Sequence, residues 1–263
     1  MGTSHYIPGR DLSGDKFDCQ LSFGNMLVGG QWQDVYTASA TQNFDIGTRL
    51  AIDDRVFRYC YASTAFTTAM KACHFATADL GVNTAAVAYA VGTETIIVLD
   101  TATRAADYYK GGYVWIMDLA TPLYHMYRIK SSLAAAAADN QVSITLDRPV
   151  HTIIPASTFV TIWPNIYSNC SSATSAYASM VAVNLIPVAQ YSYFWGQTWG
   201  PCFGTAMSAL PGAASADRAI FFNSDGALIN GASLTTNGAQ RAGYLITMTS
   251  GGGDQFYMLQ LAP

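Results

Sequence analysis

From Thr48 onward the apolar residues come in short runs, and Gly, Ser, Asn, Asp or Pro interrupts each run before a helix could complete several turns. Thr95–Leu99 is a β-branched run, Tyr113–Met117 follows the turn pair Gly111-Gly112, and Tyr124–Ile129 alternates. An Ala-rich loop, Ala134–Ala138, closes with Asp139-Asn140 and leads into Val142–Leu146; Phe159–Trp163 stops at Pro164. A second series follows: Met180–Leu185, Tyr191–Thr198, Ala219–Phe222, Leu228–Ile229, Tyr244–Thr249 and Phe256–Leu261. Short strands at roughly ten-residue spacing, with turn signals between them, predict a mainly β fold of short-stranded sandwich or barrel modules. One short helix is expected within Ala62–Leu80, where Phe66, Met70 and Cys73 recur at spacings of four and three.

The same punctuation divides the chain. Residues 1–45 read as an extended N-terminal arm, since Pro8-Gly9, Gly14, Gly24 and Gly29-Gly30 break any helical period and polar residues dominate. A first β module with the short helix is expected over 46–165, and a C-terminal β module over 179–263. The Ser/Asn/Ala stretch Asn165–Ala178 is the expected linker between them. Arg49–Ile52 and Val56–Tyr59 flank Asp53-Asp54, which predicts a tight hairpin.

Charge is scarce. Asp, Glu, Lys and Arg make up 11% of the 263 residues, against about 25% in an ordinary soluble domain, while hydrophobic residues reach 51%. No apolar window approaches the roughly 18 residues of a membrane helix, so the surface must be built from Ala, Ser, Thr, Gly, Asn and Tyr. Desolvating such a surface costs little, which suits burial against neighbouring subunits. A secreted β protein with an Ala/Thr/Ser surface is the alternative. The formal net charge of −4 and the singly scattered Lys and Arg argue against direct nucleic-acid or anionic-membrane binding. The first six residues lack the basic and apolar regions of a signal peptide.

Chemistry-bearing motifs are missing where they would be sought. Cys19, Cys60, Cys73, Cys170 and Cys202 form no CxxC pair, so buried free thiols made in a reducing cytoplasm are expected. His5, His74, His125 and His151 have no nucleophile motif nearby, and His125 reads as a strand-face imidazole. Glu94 is the only glutamate, and Asp53-Asp54 belong to a turn. Gly251-Gly252-Gly253-Asp254 lacks phosphate-cradle spacing, and Asn223-Ser224-Asp225-Gly226 reads as a hairpin turn rather than a calcium loop. Asn169-Cys170-Ser171 matches a short glycosylation sequon that arises readily by chance. No enzymatic activity, cofactor or metal is therefore expected.

Aromatic residues supply the interface candidates. Tyr191, Tyr193 and Trp195 should share one strand face with Phe194 on the other, and Trp199 follows. Core packing, subunit contact and a sugar-stacking platform are all open to such a strand. In the arm, Tyr6, Phe17, Phe23, Trp32 and Tyr36 are spaced as anchors that could lie along a neighbouring protein.

Two blocks resemble segments that recur in structural proteins of tailed phages. Leu50–Tyr59, with Gly47 and Arg49 before it, is similar to a "G-x-R-hydrophobic-x-x-D-G-R-x-F-x-Y" element, with Asp54 in place of the turn glycine. Val188–Pro201 is similar to a "G-Y-Y-F-W-x-Q-T-W-G-P" element, with Ser192 replacing one tyrosine. Gly111-Gly112-Tyr113 and Tyr127–Ser131 fit the same pattern, so the resemblance runs over residues 45–200. It implies a virion protein assembled in the bacterial cytoplasm: a capsid decoration or cement subunit binding the outside of the major capsid protein lattice. Low charge with abundant Tyr and Ala predicts a homo-oligomer, and threefold lattice positions suggest a trimer. A phage fibre or receptor-binding module, reading host glycans through the aromatic strand, is the alternative.

Overall fold

The computed structural model describes residues 20–21, 33–76, 83–85, 87–118, 123–156, 158–172, 179–205, 218–230, 240–247 and 255–263. It is mainly β, with curled antiparallel sheets. The chain forms two compact units, one from residues 1–76 together with 167–263 and the other from residues 77–166.

The first unit begins with β1 (Gln20–Leu21), β2 (Arg49–Ile52), β3 (Arg55–Tyr61) and β4 (Lys71–Phe75). The second unit holds β5 (Asn83–Thr84), β6 (Thr95–Leu99), β7 (Tyr113–Asp118), β8 (Leu123–Ser132), β9 (Gln141–Leu146) and β10 (Phe159–Trp163). The chain then returns to the first unit as β11 (Cys170–Ser171), β12 (Met180–Asn184), β13 (Tyr193–Gly204), β14 (Ala219–Phe222), β15 (Leu228–Asn230), β16 (Arg241–Thr247) and β17 (Gln255–Gln260).

In the first unit the strand order is β1-β2-β3-β13-β17-β16-β14-β15, with β12 pairing β13 and β4, and β11 pairing β4. β13 is central because Tyr193–Trp199 pairs with β3 along one edge, with a register shift between Gln197 and Trp199, while the other edge pairs first with β12 at Gly196 and Gln197 and then with β17 from Trp199 to Gly204. This topology corrects the linear division into modules at 46–165 and 179–263. One crossing between units falls inside the expected Asn165–Ala178 linker, but the other lies at residues 76–77. The physical reason is long-range pairing, since β3 and β4 are completed by β11, β12 and β13 rather than by their sequence neighbours.

The expected helix in Ala62–Leu80 is also corrected among the described residues. Phe66 bridges Val188, Met70 takes φ 60°, and Lys71–Phe75 is strand β4. A left-handed Met70 ends any helix there, and pairing with two other strands outweighs a helical spacing of three apolar residues. The only helical turn among the described residues is a 3-10 turn at Ala137–Asp139, closed by Asn140 at φ 52°.

The expected arm over residues 1–45 is corrected where it is described: Gln20–Leu21 pairs with β2, and residues 33–45 pack on the first unit. Gln33, Val35 and Phe44 are buried in the first unit, and Ser39 pairs with Tyr193. Gln33 donates through Nε2 to the Tyr193 carbonyl at 2.9 Å and accepts from the Tyr59 hydroxyl at 2.7 Å. Residues 33–45 therefore fold back on their own sheet, because Val35 and Phe44 find apolar neighbours in Leu50, Tyr59 and Trp195. Tyr6, Phe17, Phe23 and Trp32 lie outside the described residues.

The second unit is a six-stranded sheet in the order β5-β10-β7-β8-β9-β6. Ala85, just after β5, bridges Val98 of β6, so the two ends of the sheet approach each other and the sheet curls around its own core. That core takes alternate residues from each strand: Val114 and Ile116, Tyr127 and Ile129, Val142 and Ile144, Val160 and Ile162. A buried polar knot holds the long loop between β6 and β7. The Asp100 carboxylate accepts from Arg104 Nε at 2.9 Å, from the Tyr109 hydroxyl at 2.7 Å and from the Ala102 N–H at 3.0 Å.

Candidate assembly surfaces

The aromatic strand is core at its start. Trp195 is 1% exposed, packs on Phe44 and Tyr59 at ring distances of 5.1 and 5.0 Å, and donates through Nε1 to the Gln33 carbonyl at 3.0 Å. Tyr193 shares that face and stacks on Tyr59, while Phe194 points the other way onto Phe66. The expected alternation is present from Tyr193 to Trp195. Tyr191 departs from it: it precedes the strand in a turn at φ 64° and is exposed. Tyr191, Tyr193 and Trp195 therefore do not form an exposed row on which a sugar could stack, because ring packing and the Gln33 bond draw Trp195 inward.

Further along β13 the outward residues become apolar. Pro201 and Phe203 pair with Met258 and Phe256 of β17, with the Phe203 and Phe256 rings 5.0 Å apart, while Cys202 and Tyr257 between them are buried. Met258 in turn pairs with the exposed Tyr244 of β16. A cavity of about 280 Å³ opens beside this row, and Tyr36, Arg55, Pro201, Phe203 and Phe256 are among its lining residues. Of the candidates from the sequence, Tyr36 comes to this surface, and Trp199 is half-buried at the start of the same stretch of β13. Phe203, Phe256 and Met258 were missed. Their signal is the run Phe256–Leu259, apolar at every position, which a strand with one solvated face would not carry.

The second unit shows the same property more strongly. Residues of β10, β7 and β8 that face away from the core stand in three rows. Phe159, Met117 and Tyr124 form the first, Thr161, Trp115 and Met126 the second, Trp163, Tyr113 and Arg128 the third. Arg128 is the one charged group in these rows. Tyr124 and Met126 are 58% and 61% exposed. The outside of a curled sheet filled by its own core is ordinarily polar, so this face asks for a covering. The sequence signal is again an uninterrupted apolar run, Tyr113–Met117.

Several titratable groups are buried or paired within the fold. Cys60, Cys73, Cys170 and Cys202 are buried free thiols, as expected. Hydrogen bonding to Cys60 and Cys73, with burial, pushes the Cys170 thiol well above its usual value, which keeps it neutral and unreactive. Asp225 in the 223–226 turn accepts from Lys71 Nζ at 3.0 Å and from Asn223 and the Ala227 N–H, and Gly226 has φ 80°. His125 packs edge-on to His151 at 4.3 Å, and burial together with that neighbour lowers its pKa. Among the described residues no group of three His, Cys, Asp or Glu side chains could hold a metal ion. No helix among them is long and apolar enough to cross a membrane. No protein-family model, curated protein or solved structure matches the chain.

Proposed function

We propose that the chain is a non-enzymatic structural subunit of a tailed-phage particle, a decoration or cement protein that binds the outside of the major capsid protein lattice. The observation that carries the reading is the apolar outward face on both sheets: Phe203, Phe256 and Met258 on the first unit, Tyr124, Met126 and Tyr113 on the second. Exposed apolar areas of this kind mark association sites. The likeness of Leu50–Tyr59 and Val188–Pro201 to phage head proteins supplies the particle. The glycan-reading fibre alternative rested on the aromatic strand, and Trp195 in the core takes that platform away.

Binding to shells tests the reading. Purified protein, added to particles of its own phage that lack it, is expected to sediment with them at a fixed ratio to the shell protein and to raise the temperature at which they release DNA. Failure to co-sediment, with the protein folded, would reject the decoration role.

A further inference from the structure

We infer that the outward face of β10, β7 and β8 is a self-association surface, on which a second copy of the same chain packs its own β10-β7-β8 face about a twofold axis. The inference rests on the assembly reading above and names the occupant of one of its two faces.

Area is the first argument. Tyr113, Tyr124, Met126 and Phe159 are 42%, 58%, 61% and 40% exposed with the whole chain present. At about 200 Å² for a large side chain, those four leave about 400 Å² open to water. The half-buried Trp115, Met117 and Trp163 bring a two-copy contact to about 1,000 Å², the lower bound for a specific protein interface. The inner side of the same strands is already filled by Val114, Ile116, Tyr127 and Ile162. The area is therefore available only to something outside the unit.

Charge is the second. Arg128 stands at a corner of the rows and no carboxylate stands among them. Aligned packing of two sheets places a twofold axis in the contact plane, through the central Trp115. An axis running along the strands exchanges β10 with β8 and sets Arg128 against Trp163 of the second copy. An axis across the strands exchanges the outer rows and sets Arg128 against Tyr124 of the second copy. Either way the guanidinium meets an aromatic ring, a favourable cation–π contact made twice, and not its own like charge. An acidic partner would find a single cation.

Sedimentation velocity on the full chain decides the matter. The wild-type protein is expected to be a dimer at micromolar concentration. Met126→Glu and, separately, Tyr124→Lys should raise the dissociation constant at least ~100-fold, because each buries a charge in an otherwise apolar contact, one in the middle row and one at a corner. Both positions are exposed in the single chain, so circular dichroism should not move, and the melting temperature should fall only by what the dimer contact adds, a difference that vanishes on dilution. Phe203→Glu, on the other unit, should leave the dimer intact. A wild-type monomer at tens of micromolar would overturn the inference. So would a trimer that Met126→Glu leaves intact, or a monomer whose binding to shells Met126→Glu abolishes, which would give the face to the shell protein. Co-sedimentation with particles is read separately. A dimer that never binds particles leaves this surface standing and rejects decoration, and a monomer that coats them does the reverse.

Discussion

Asp100 and Arg104 illustrate how a chain with so little charge uses the charge it buries. Burial alone would raise the Asp100 carboxyl, but hydrogen bonds from Arg104, Tyr109 and the Ala102 N–H more than offset it and hold its pKa below the usual value. A depressed carboxyl stabilises the fold fully above its unfolded pKa of about 3.9, and that contribution is lost as pH falls through the lower folded value. The stability of the second unit should therefore decline below about pH 4. Asp100→Asn should remove that acid dependence while lowering stability by about 3 kcal/mol or more, since it takes away the buried carboxylate that accepts from Arg104, Tyr109 and the Ala102 N–H. Chemical denaturation at several pH values reads both effects. Trp195→Phe should cost about 2–4 kcal/mol in urea unfolding, because the Gln33 carbonyl loses its donor and a void opens against Phe44 and Tyr59. Were Trp195 a ligand platform instead, the change would spare stability.

At the scale of elements, turn chemistry made the strands legible. Asp53 at φ 53° joins β2 to β3, and Gly226 joins β14 to β15, where Asp-Asp and Asn-Ser-Asp-Gly marked turns. Runs such as Thr95–Leu99 and Phe159–Trp163 match strands at both ends. The Ala62–Leu80 segment was misread because Phe66, Met70 and Cys73 each answer to a distant partner. Phe66 meets Val188 and Phe194, and β4 carries Cys73 into β12. Residues 33–45 were misread for the same reason, since Gln33 is held by Tyr59 and Tyr193 far along the chain. A chain beginning at residue 46 should accordingly lose about 3 kcal/mol or more, having removed buried Val35, Phe44 and the Gln33 hydrogen bonds. A chain beginning at residue 33 keeps them, so the difference between the two melting curves measures what residues 33–45 add to the fold. The outward rows were illegible as surfaces because they need the register between β10 and β7, strands that the chain separates by β8 and β9.

At the scale of the molecule, the second unit is continuous in sequence and carries its own core, whereas the first is completed only when the chain returns at Tyr167. The fragment 77–166 should therefore fold alone and unfold cooperatively, while a fragment ending at residue 76 should not fold, because β3 and β4 lack β11, β12 and β13. Heteronuclear NMR spectra of the two fragments check this: dispersed amide signals are expected for the first and collapsed ones for the second. In the proposed function the outward apolar faces carry the role, and the central claim is that those surfaces meet a capsid. A density map of particles of the phage proposed to carry this chain tests that claim most directly. The account predicts density for the two β units on the outside of the shell, repeated at equivalent lattice positions, with Phe203 and Phe256 or Tyr124 and Met126 covered by neighbouring subunits. Density confined to a tail fibre, or particles without the protein, would contradict it.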